Sequence, residues 1–224
     1  MKRLSKRKTK EPETSTPYYK LVLLGENGVG KTQLLHRLNE ENYDKNYCPT
    51  FGLDFRIKTI KDENGNPLND IQMIDIPGET DELHKSIEND YIQSAHAFLV
   101  VFDVSNEFSV INAVSIKDKY ASKIIKNPGL KKWYLIGNKK DKDSSGKNIP
   151  PQYKDKFDNY FEVSSKTSIT SVFDDILEQI VKDLDDVYRE NRYINNDSDE
   201  EKEDFEIDFI KAHGDIFNEE CEIF

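Results

Sequence analysis

A glycine-rich loop that ends in lysine and threonine is the first stretch of this chain with the residue types for chemistry. It reads Gly-Glu-Asn-Gly-Val-Gly-Lys-Thr over residues 25–32, after the apolar run 21–24 and before a stretch with helical apolar period. Glycines allow successive backbone N–H groups to turn toward an anion, and the lysine adds positive charge. The loop therefore predicts a phosphate-binding site between a strand and a helix.

Seven residues in and beside this loop are expected to bind the phosphate-bearing cofactor. Lys31 is expected to reach the outer phosphates, and Thr32 to place its hydroxyl on Mg²⁺. The seven residues are Asn27, Gly28, Val29, Gly30, Lys31, Thr32 and Gln33.

A second motif, Asp-Ile-Pro-Gly over residues 75–78, closes the third predicted strand. The Asp75 carboxylate can hold Mg²⁺ through a water molecule, and the Gly78 backbone N–H can reach a terminal phosphate without a side chain in the way. Taken alone, the motif would equally fit a strand-ending aspartate and a turn glycine. Its functional meaning depends on the phosphate loop.

Two further motifs bear on the choice of base. Asn-Lys-Lys-Asp over 138–141 follows the fifth predicted strand, and Ser-Ser-Lys over 164–166 follows the sixth. The Asp141 carboxylate can accept hydrogen bonds from N1–H and the 2-amino group of guanine, which adenine does not offer. The Lys139 stem can lie over the base, and backbone N–H groups near Ser165 can meet the guanine 6-oxygen. The residues that these two motifs add to the predicted cofactor-binding site are Asn138, Lys139, Asp141, Ser164, Ser165 and Lys166.

Strand and helix patterns alternate along the chain. Continuous apolar runs such as 98–102 and 133–136 are typical of strands buried on both faces of a parallel sheet. The predicted strands are 19–25, 51–60, 70–76, 97–103, 132–137 and 160–163, and the predicted helices are 30–40, 80–93, 107–126 and 170–190, with a hairpin turn at 63–67 and a short turn near 150–157. This pattern predicts a doubly wound α/β fold whose ligand lies beyond the carboxyl ends of the strands.

Length and composition indicate one domain with charged ends. The chain has 224 residues, a formal net charge of −11 and two cysteines, which excludes a disulfide framework. No apolar run approaches the roughly 18 residues that span a bilayer, and the basic amino terminus lacks a signal peptide's apolar segment. We therefore expect a cytoplasmic monomer. The histidines lack metal-ligand spacing, and the basic run is too short for a nucleic-acid footprint.

Charge is concentrated at both ends of the chain. Residues 1–10 carry six basic residues and no acid, whereas residues 195–224 carry twelve acids against two lysines. Such runs are usually solvated segments; the alternative is that the basic head contacts an anionic membrane or the acidic tail. The predicted organisation is a basic head over 1–17, a domain over 18–190 and an acidic tail over 191–224.

Together these motifs resemble those of the Ras superfamily of small GTPases, over about residues 18–190. The resemblance implies a P-loop NTPase G domain, with a six-stranded, mostly parallel sheet and helices on both faces. It also implies that the chain binds GTP or GDP with Mg²⁺ and hydrolyses GTP. Pro-Thr-Phe-Gly-Leu-Asp-Phe over 49–55 and Ser-Ala-His-Ala-Phe-Leu-Val-Val-Phe-Asp-Val-Ser over 94–105 are most similar to the Rab branch.

The resemblance assigns roles to residues whose own chemistry is less specific. Thr50 would place a second hydroxyl on Mg²⁺, Tyr43 would pack on guanine, and Tyr47 would close over the phosphates. Plain packing is the alternative interpretation of both tyrosines. With GTP bound, Thr50 and Gly78 would hold two switch segments in order.

Partners of the chain are expected at these switch segments, about residues 43–55 and 75–93. The resemblance implies an exchange factor, a GTPase-activating protein and effectors that distinguish the GTP form from the GDP form. The sequence does not identify any of them, nor the pathway.

Glu79 departs from the family pattern, which usually has glutamine there to orient the attacking water. A carboxylate cannot donate a hydrogen bond toward the γ-phosphate, and its charge opposes a transition state already rich in negative oxygens. We therefore expect slow hydrolysis. The expected catalytic residues are Lys31, Thr50, Gly78 and Glu79. Two alternatives stay open: Glu79 acts as a general base, or the chain is a nucleotide-dependent binding module with negligible turnover.

The last four residues, Cys-Glu-Ile-Phe over 221–224, match a C-a-a-X box of the geranylgeranyl type. Lipidation at Cys221 would make the protein a lipoprotein on the cytosolic face of a membrane. The acidic Glu222 and its acidic surroundings count against this prediction, because an anionic leaflet repels them. The alternative is a surface thiol without a role.

Overall fold

The computed structural model describes residues 18–45, 53–77, 82–143 and 148–194 and, within these, the side chains of all but 82–87 and 189–194. Contacts divide the chain into two units, Met1–Val181 and Lys182–Phe224. The first unit contains all the strands named below. In the second unit, the described residues 182–194 are helical. The predicted head over 1–17 and the tail beyond 194 lie outside the described residues.

In the described residues, six strands and five α-helices follow one another in the predicted order. The strands are β1 (Tyr18–Gly25), β2 (Asp54–Lys61), β3 (Pro67–Asp75), β4 (Ala97–Asp103), β5 (Lys132–Asn138) and β6 (Asn159–Glu162). The helices are α1 (Lys31–Leu38), α2 (Glu82–Ser94), α3 (Glu107–Ala121), α4 (Pro151–Lys154) and α5 (Thr170–Ile194).

The strands form one mostly parallel sheet in the order β2-β3-β1-β4-β5-β6. Of the described strand pairs, β2–β3 alone is antiparallel. Its hairpin turn is confirmed by two backbone N–H bonds to the Asp62 carboxylate, both 2.8 Å. In the parallel pairs, Leu23 lies beside Asp75 and Asp103 beside Asn138. The carboxyl ends of β1, β3, β4, β5 and β6 therefore meet at one edge of the sheet, which we call the carboxyl edge; the opposite side is the amino edge.

Alternate residues of the central strands fill the two faces of the sheet. Val22 and Phe98 belong to a buried cluster with Val110 of α3, and the Phe98 ring stacks on Trp133 with centroids 4.2 Å apart. Leu21 and other residues of opposite parity are also fully buried, as are the apolar residues of α1. Burying each large apolar side chain stabilises the fold by about 1.5–3 kcal/mol. The predicted doubly wound α/β fold is confirmed.

Several predicted boundaries were wrong by a few residues. Helix α3 ends at Ala121 instead of residue 126, because Gln93 binds the backbone beyond it: its amide donates to Lys123 O (2.7 Å) and accepts from Ile125 N (3.0 Å). Asn127, at φ 46°, turns the chain before Pro128.

The other shifts have local causes. Helix α1 ends at Leu38 because Glu40 has a φ of 62°, and β3 starts early, at Pro67, because it continues its pairing with β2. Strand β2 begins at Asp54 instead of 51, and α5 continues to Ile194 instead of 190.

Among the described helices, none combines the length and apolar character needed to cross a membrane.

Candidate functional site

The predicted site residues that the structure describes gather at the carboxyl edge. The phosphate loop follows β1, Asp75 ends β3, Asn138 ends β5, and Ser165 follows β6. The sheet register thus brings together residues that are up to 140 positions apart in the chain.

Two glycines of the phosphate loop permit its tight path. Gly30 has a φ of 97°, and a Cβ there would lie 2.5 Å from Nδ2 of Asn138. Gly25 is equally confined, since a Cβ would collide with the Val101 carbonyl oxygen. Side chains are therefore excluded, and α1 begins directly after the loop at Lys31.

The Lys31 side chain folds back over the loop. Its Nζ donates to the carbonyl oxygens of Gly25 and Glu26, each at 3.0 Å, and the residue is buried. Burial lowers the pKa of Lys31, while Asp75 and Glu26 oppose this shift by favouring the charged form. A buried cation without a directly paired carboxylate is suited to receive phosphate oxygens.

Thr32 and Asp75 meet beside the lysine. The Thr32 hydroxyl donates to Oδ2 of Asp75 at 2.5 Å, and Asp75 is fully buried. Its other oxygen, Oδ1, has no hydrogen-bond partner within the described part of the chain. Burial raises the pKa of Asp75, although Thr32 and Lys31 act in the opposite direction. A hydroxyl, a carboxylate and an unpartnered oxygen are ligands that fit Mg²⁺.

Asn138 connects the phosphate loop to the segment after β6. Its Nδ2 donates to the Val29 carbonyl at 3.0 Å, and its Oδ1 accepts from both the backbone N and the hydroxyl of Ser165, each at 3.0 Å. Asn138 and Ser165 are both buried. The amide side chain uses its donor and acceptor together, so it fixes the distance between the two halves of the site.

Lys139 and Asp141 lie on the side of the site that the sequence predicts to hold the base, which we call the base side; the side of Lys31 and Asp75 is the phosphate side. Lys139 has a φ of 64°, and its Nζ donates to the Gly28 carbonyl at 2.6 Å. Asp141 Oδ1 accepts from the Ser164 hydroxyl at 2.6 Å, which orients the carboxylate and leaves it exposed. These contacts hold the 138–141 turn against the phosphate loop.

Sequence reasoning missed Asp103 as a site residue. Its Oδ2 accepts from Lys139 Nζ at 2.8 Å. Partial burial works against the charged form of Asp103, but hydrogen bonds from Lys139 and Ser105 outweigh it and lower the pKa. The available signal was its position as an acid at the end of a buried strand, next to Asn138 in the sheet.

The remaining predicted site residues are exposed or half-buried, or lie outside the described part of the chain. Asn27 and Lys166 are exposed, and Tyr43 is half-buried. The Gln33 side chain accepts from the backbone N of Asp44 at 3.0 Å, which fastens α1 to the chain near Tyr43. The residues that lie outside the described part of the chain are Tyr47, Thr50, Gly78, Glu79 and Cys221.

The fold and the loop between β1 and α1 define a nucleotide-binding α/β domain of the P-loop class. The Ras family model matches residues 20–184. The Ras-related protein RabC of Dictyostelium discoideum is 32% identical over 176 residues, which cover 72% of this chain and 83% of RabC. The Ras-related protein Rab-13 of Bos taurus is 31% identical over 175 residues, covering 74% and 79%. RABD2a of Arabidopsis thaliana is 35% identical over 126 residues, covering 55% and 57%.

The chain therefore belongs to the Ras family of small GTPases, and its relatives place it in the Rab branch. It is a guanine-nucleotide-binding switch that hydrolyses GTP.

Proposed function

We propose that the carboxyl edge binds GTP and GDP together with Mg²⁺, using the residues assigned from the sequence. Lys31 and the loop N–H groups would hold the phosphates, and Thr32 and Asp75 would hold Mg²⁺, which neutralises phosphate charge. Asp141 would read the guanine base, with Lys139 against its face. The observation that carries the proposal is the Asn138 side chain, which ties Val29 of the phosphate loop to Ser165 of the base segment.

Replacing the base-reading carboxylate tests this assignment. Asp141→Asn exchanges one acceptor oxygen for a donor, so it should weaken guanine binding by several kcal/mol and favour xanthine, whose 2-oxygen accepts. Competition of GTP, ATP and xanthosine triphosphate on the unmodified and variant chains measures the change. Equal binding of ATP and GTP by the unmodified protein would contradict the proposed role of Asp141.

We further propose that intrinsic GTP hydrolysis is slow because Glu79 stands where the family usually has glutamine. A carboxylate offers no N–H donor to the transition state, and such a donor contributes roughly 10² to 10³ in rate at comparable sites. Pro77, two positions before Glu79, restricts the local backbone, and this restriction should slow hydrolysis further. A second candidate, a binding module with negligible turnover, rests on the same residue.

Single-turnover hydrolysis by the unmodified chain and the Glu79→Gln variant distinguishes these functions. The variant should hydrolyse GTP faster, with unchanged GTP affinity as the control. Faster turnover by the unmodified chain, dependent on one ionised carboxylate, would instead assign Glu79 as a general base. No measurable turnover in either chain would favour the binding module.

The similarity to the Rab branch indicates which classes of protein would bind this chain, but it does not identify individual partners. The proposed role is in membrane trafficking or signalling from the cytoplasm, on the cytosolic face of a membrane when Cys221 is prenylated. An exchange factor, an activating protein and effectors would contact the segments 43–55 and 75–93. Isolation of proteins that bind only the GTP-loaded chain would test this role, and mass measurement of Cys221 after expression in a eukaryotic cell would test prenylation.

A further inference from the structure

The amino edge carries a concentration of lysines on an otherwise acidic protein. Residues 117–132 contain six lysines and a single acid, whereas the whole chain has a net charge of −11. We call this surface the lysine edge. It consists of Lys117, Lys119, Lys123, Lys126, Lys131 and Lys132.

Hydrogen bonds fix the lysine edge beside the first residues of the central strands. Lys132 N donates to His96 O at 3.2 Å, and His96 N donates to Lys20 O at 2.9 Å. Lys131 Nζ donates to Ala95 O at 2.5 Å. A strand of seven residues spans about 23 Å at ~3.3 Å per residue, so the lysine edge and the nucleotide site lie at opposite ends of the sheet.

Within the described part of the chain, the acids paired with the lysine edge are fewer than its lysines. Asp158 pairs with Lys132 at 3.1 Å, and the buried Glu88 lies 3.6 Å from Lys123. Asp118 lies 3.9 Å from a further cation, Lys156. Among the residues that the structure describes, these three acids lie beside seven lysines, which leaves an excess of positive charge on this surface.

An isoleucine within the lysine-rich segment is highly exposed. Ile125 is 85% exposed, more than any other large apolar residue that the structure describes, and it lies between Lys123 and Lys126. The Gln93 side chain holds its backbone by accepting from Ile125 N at 3.0 Å, while the adjacent Ile124 is buried in the core. The outward direction of Ile125 is therefore fixed by the fold.

We propose that the lysine edge docks on an anionic membrane surface, with Ile125 inserted among the lipid headgroups. Lysines on long stems can follow mobile lipid phosphates, and one projecting apolar side chain suits a fluid interface better than a complementary protein pocket. The described chain begins at Tyr18, on this same edge, and the sequence before it includes six basic residues at positions 1–10. Docking here leaves the carboxyl edge facing away from the membrane, open to partners.

Vesicle sedimentation of the GDP-loaded full chain, with Cys221 unmodified, tests the proposal. The chain should bind vesicles of equal parts phosphatidylserine and phosphatidylcholine, and should not bind phosphatidylcholine alone. Lys126→Glu should weaken binding about tenfold or more, because each lysine near an anionic surface contributes roughly fivefold and the reversal adds repulsion. Lys142→Glu, an equal charge change at an exposed residue of the carboxyl edge, should alter binding less than about twofold.

The Ile125→Asn variant tests the apolar contact separately. It should weaken binding about tenfold without a change of charge, and this loss should persist in high salt, where the contribution of Lys126 is screened. Equal losses for Lys126→Glu and Lys142→Glu would overturn the proposal in favour of non-specific charge attraction. Unchanged binding by Ile125→Asn, with full competition by polyglutamate, would overturn it in favour of an acidic protein partner. Retained GDP in every variant separates these outcomes from failure of the nucleotide site.

Discussion

The two edges of the central sheet differ in whether their buried polar groups have hydrogen-bond partners within the chain. Within the described part of the chain, the hydrogen bonds of Lys31 Nζ at the carboxyl edge go to backbone carbonyls, and Asp75 Oδ1 has no partner. At the amino edge, the His96 ring accepts from Lys20 N at 2.8 Å and Lys131 donates to two backbone carbonyls. The carboxyl edge is thus arranged to be completed by a ligand, whereas the amino edge is completed by the chain itself.

The carboxyl edge also differs between its two halves. On the base side, Asn138 and Ser164 already hold their neighbours through hydrogen bonds of 2.6–3.0 Å. On the phosphate side, burial disfavours the charged forms of both Lys31 and Asp75. The base side is thus held by hydrogen bonds within the chain, whereas the proposed nucleotide and cation would stabilise mainly the phosphate side.

The largest expected effect follows from removing the phosphate-side cation. Lys31→Ala should weaken GTP and GDP binding by about 3 kcal/mol or more, because phosphate charge would lose its buried partner. Lys142→Ala, an exposed lysine of the same edge, should change affinity by less than about 0.5 kcal/mol. Titration with a fluorescent guanine nucleotide measures both. Similar affinities for the two variants would contradict the assignment of Lys31 to phosphate.

Sequence patterns predicted the elements because their signals are local. The continuous apolar run of β4 and the turn residues after β2 each depend on neighbours within a few positions. The end of α3 was wrong because the deciding contact comes from Gln93, about 30 positions earlier in the chain. Similarly, the motifs gave the residue types of the site, but the Asn138–Val29 bond joins residues 109 positions apart and has no sequence signature.

A smaller effect is expected from breaking the connection between the two halves. Asn138→Ala removes the side-chain bonds to Val29 and Ser165 and leaves buried polar groups without partners. We expect the free energy of unfolding to fall by about 2–3 kcal/mol. Asn112→Ala removes an exposed bond to Glu26 of the same loop and should cost less than about 1 kcal/mol. Denaturant unfolding of the two variants measures the difference, and equal losses would mean that Asn138 has no special connecting role.

The smallest expected effect lies at the amino edge and depends on pH. Burial, with help from Lys131 and Lys20, lowers the pKa of His96 from 6.5 to about 3. Above pH 6.5 the imidazole is neutral in both folded and unfolded chains, so it adds no pH dependence there. As the pH falls below 6.5, only the unfolded chain takes up this proton, and the folded state loses stability until about pH 3.

From pH 6.5 to pH 5 this linkage lowers the free energy of unfolding by about 2 kcal/mol. His96→Gln keeps an acceptor for Lys20 N but does not titrate, so its unfolding free energy should depend less on pH by that amount. The carboxylates of the protein titrate in both chains and cancel in the comparison. Urea unfolding at several pH values measures how the unfolding free energy of each chain depends on pH. An equal pH dependence of the two unfolding free energies would show that His96 becomes protonated without unfolding, and that burial at the amino edge does not exclude its charge.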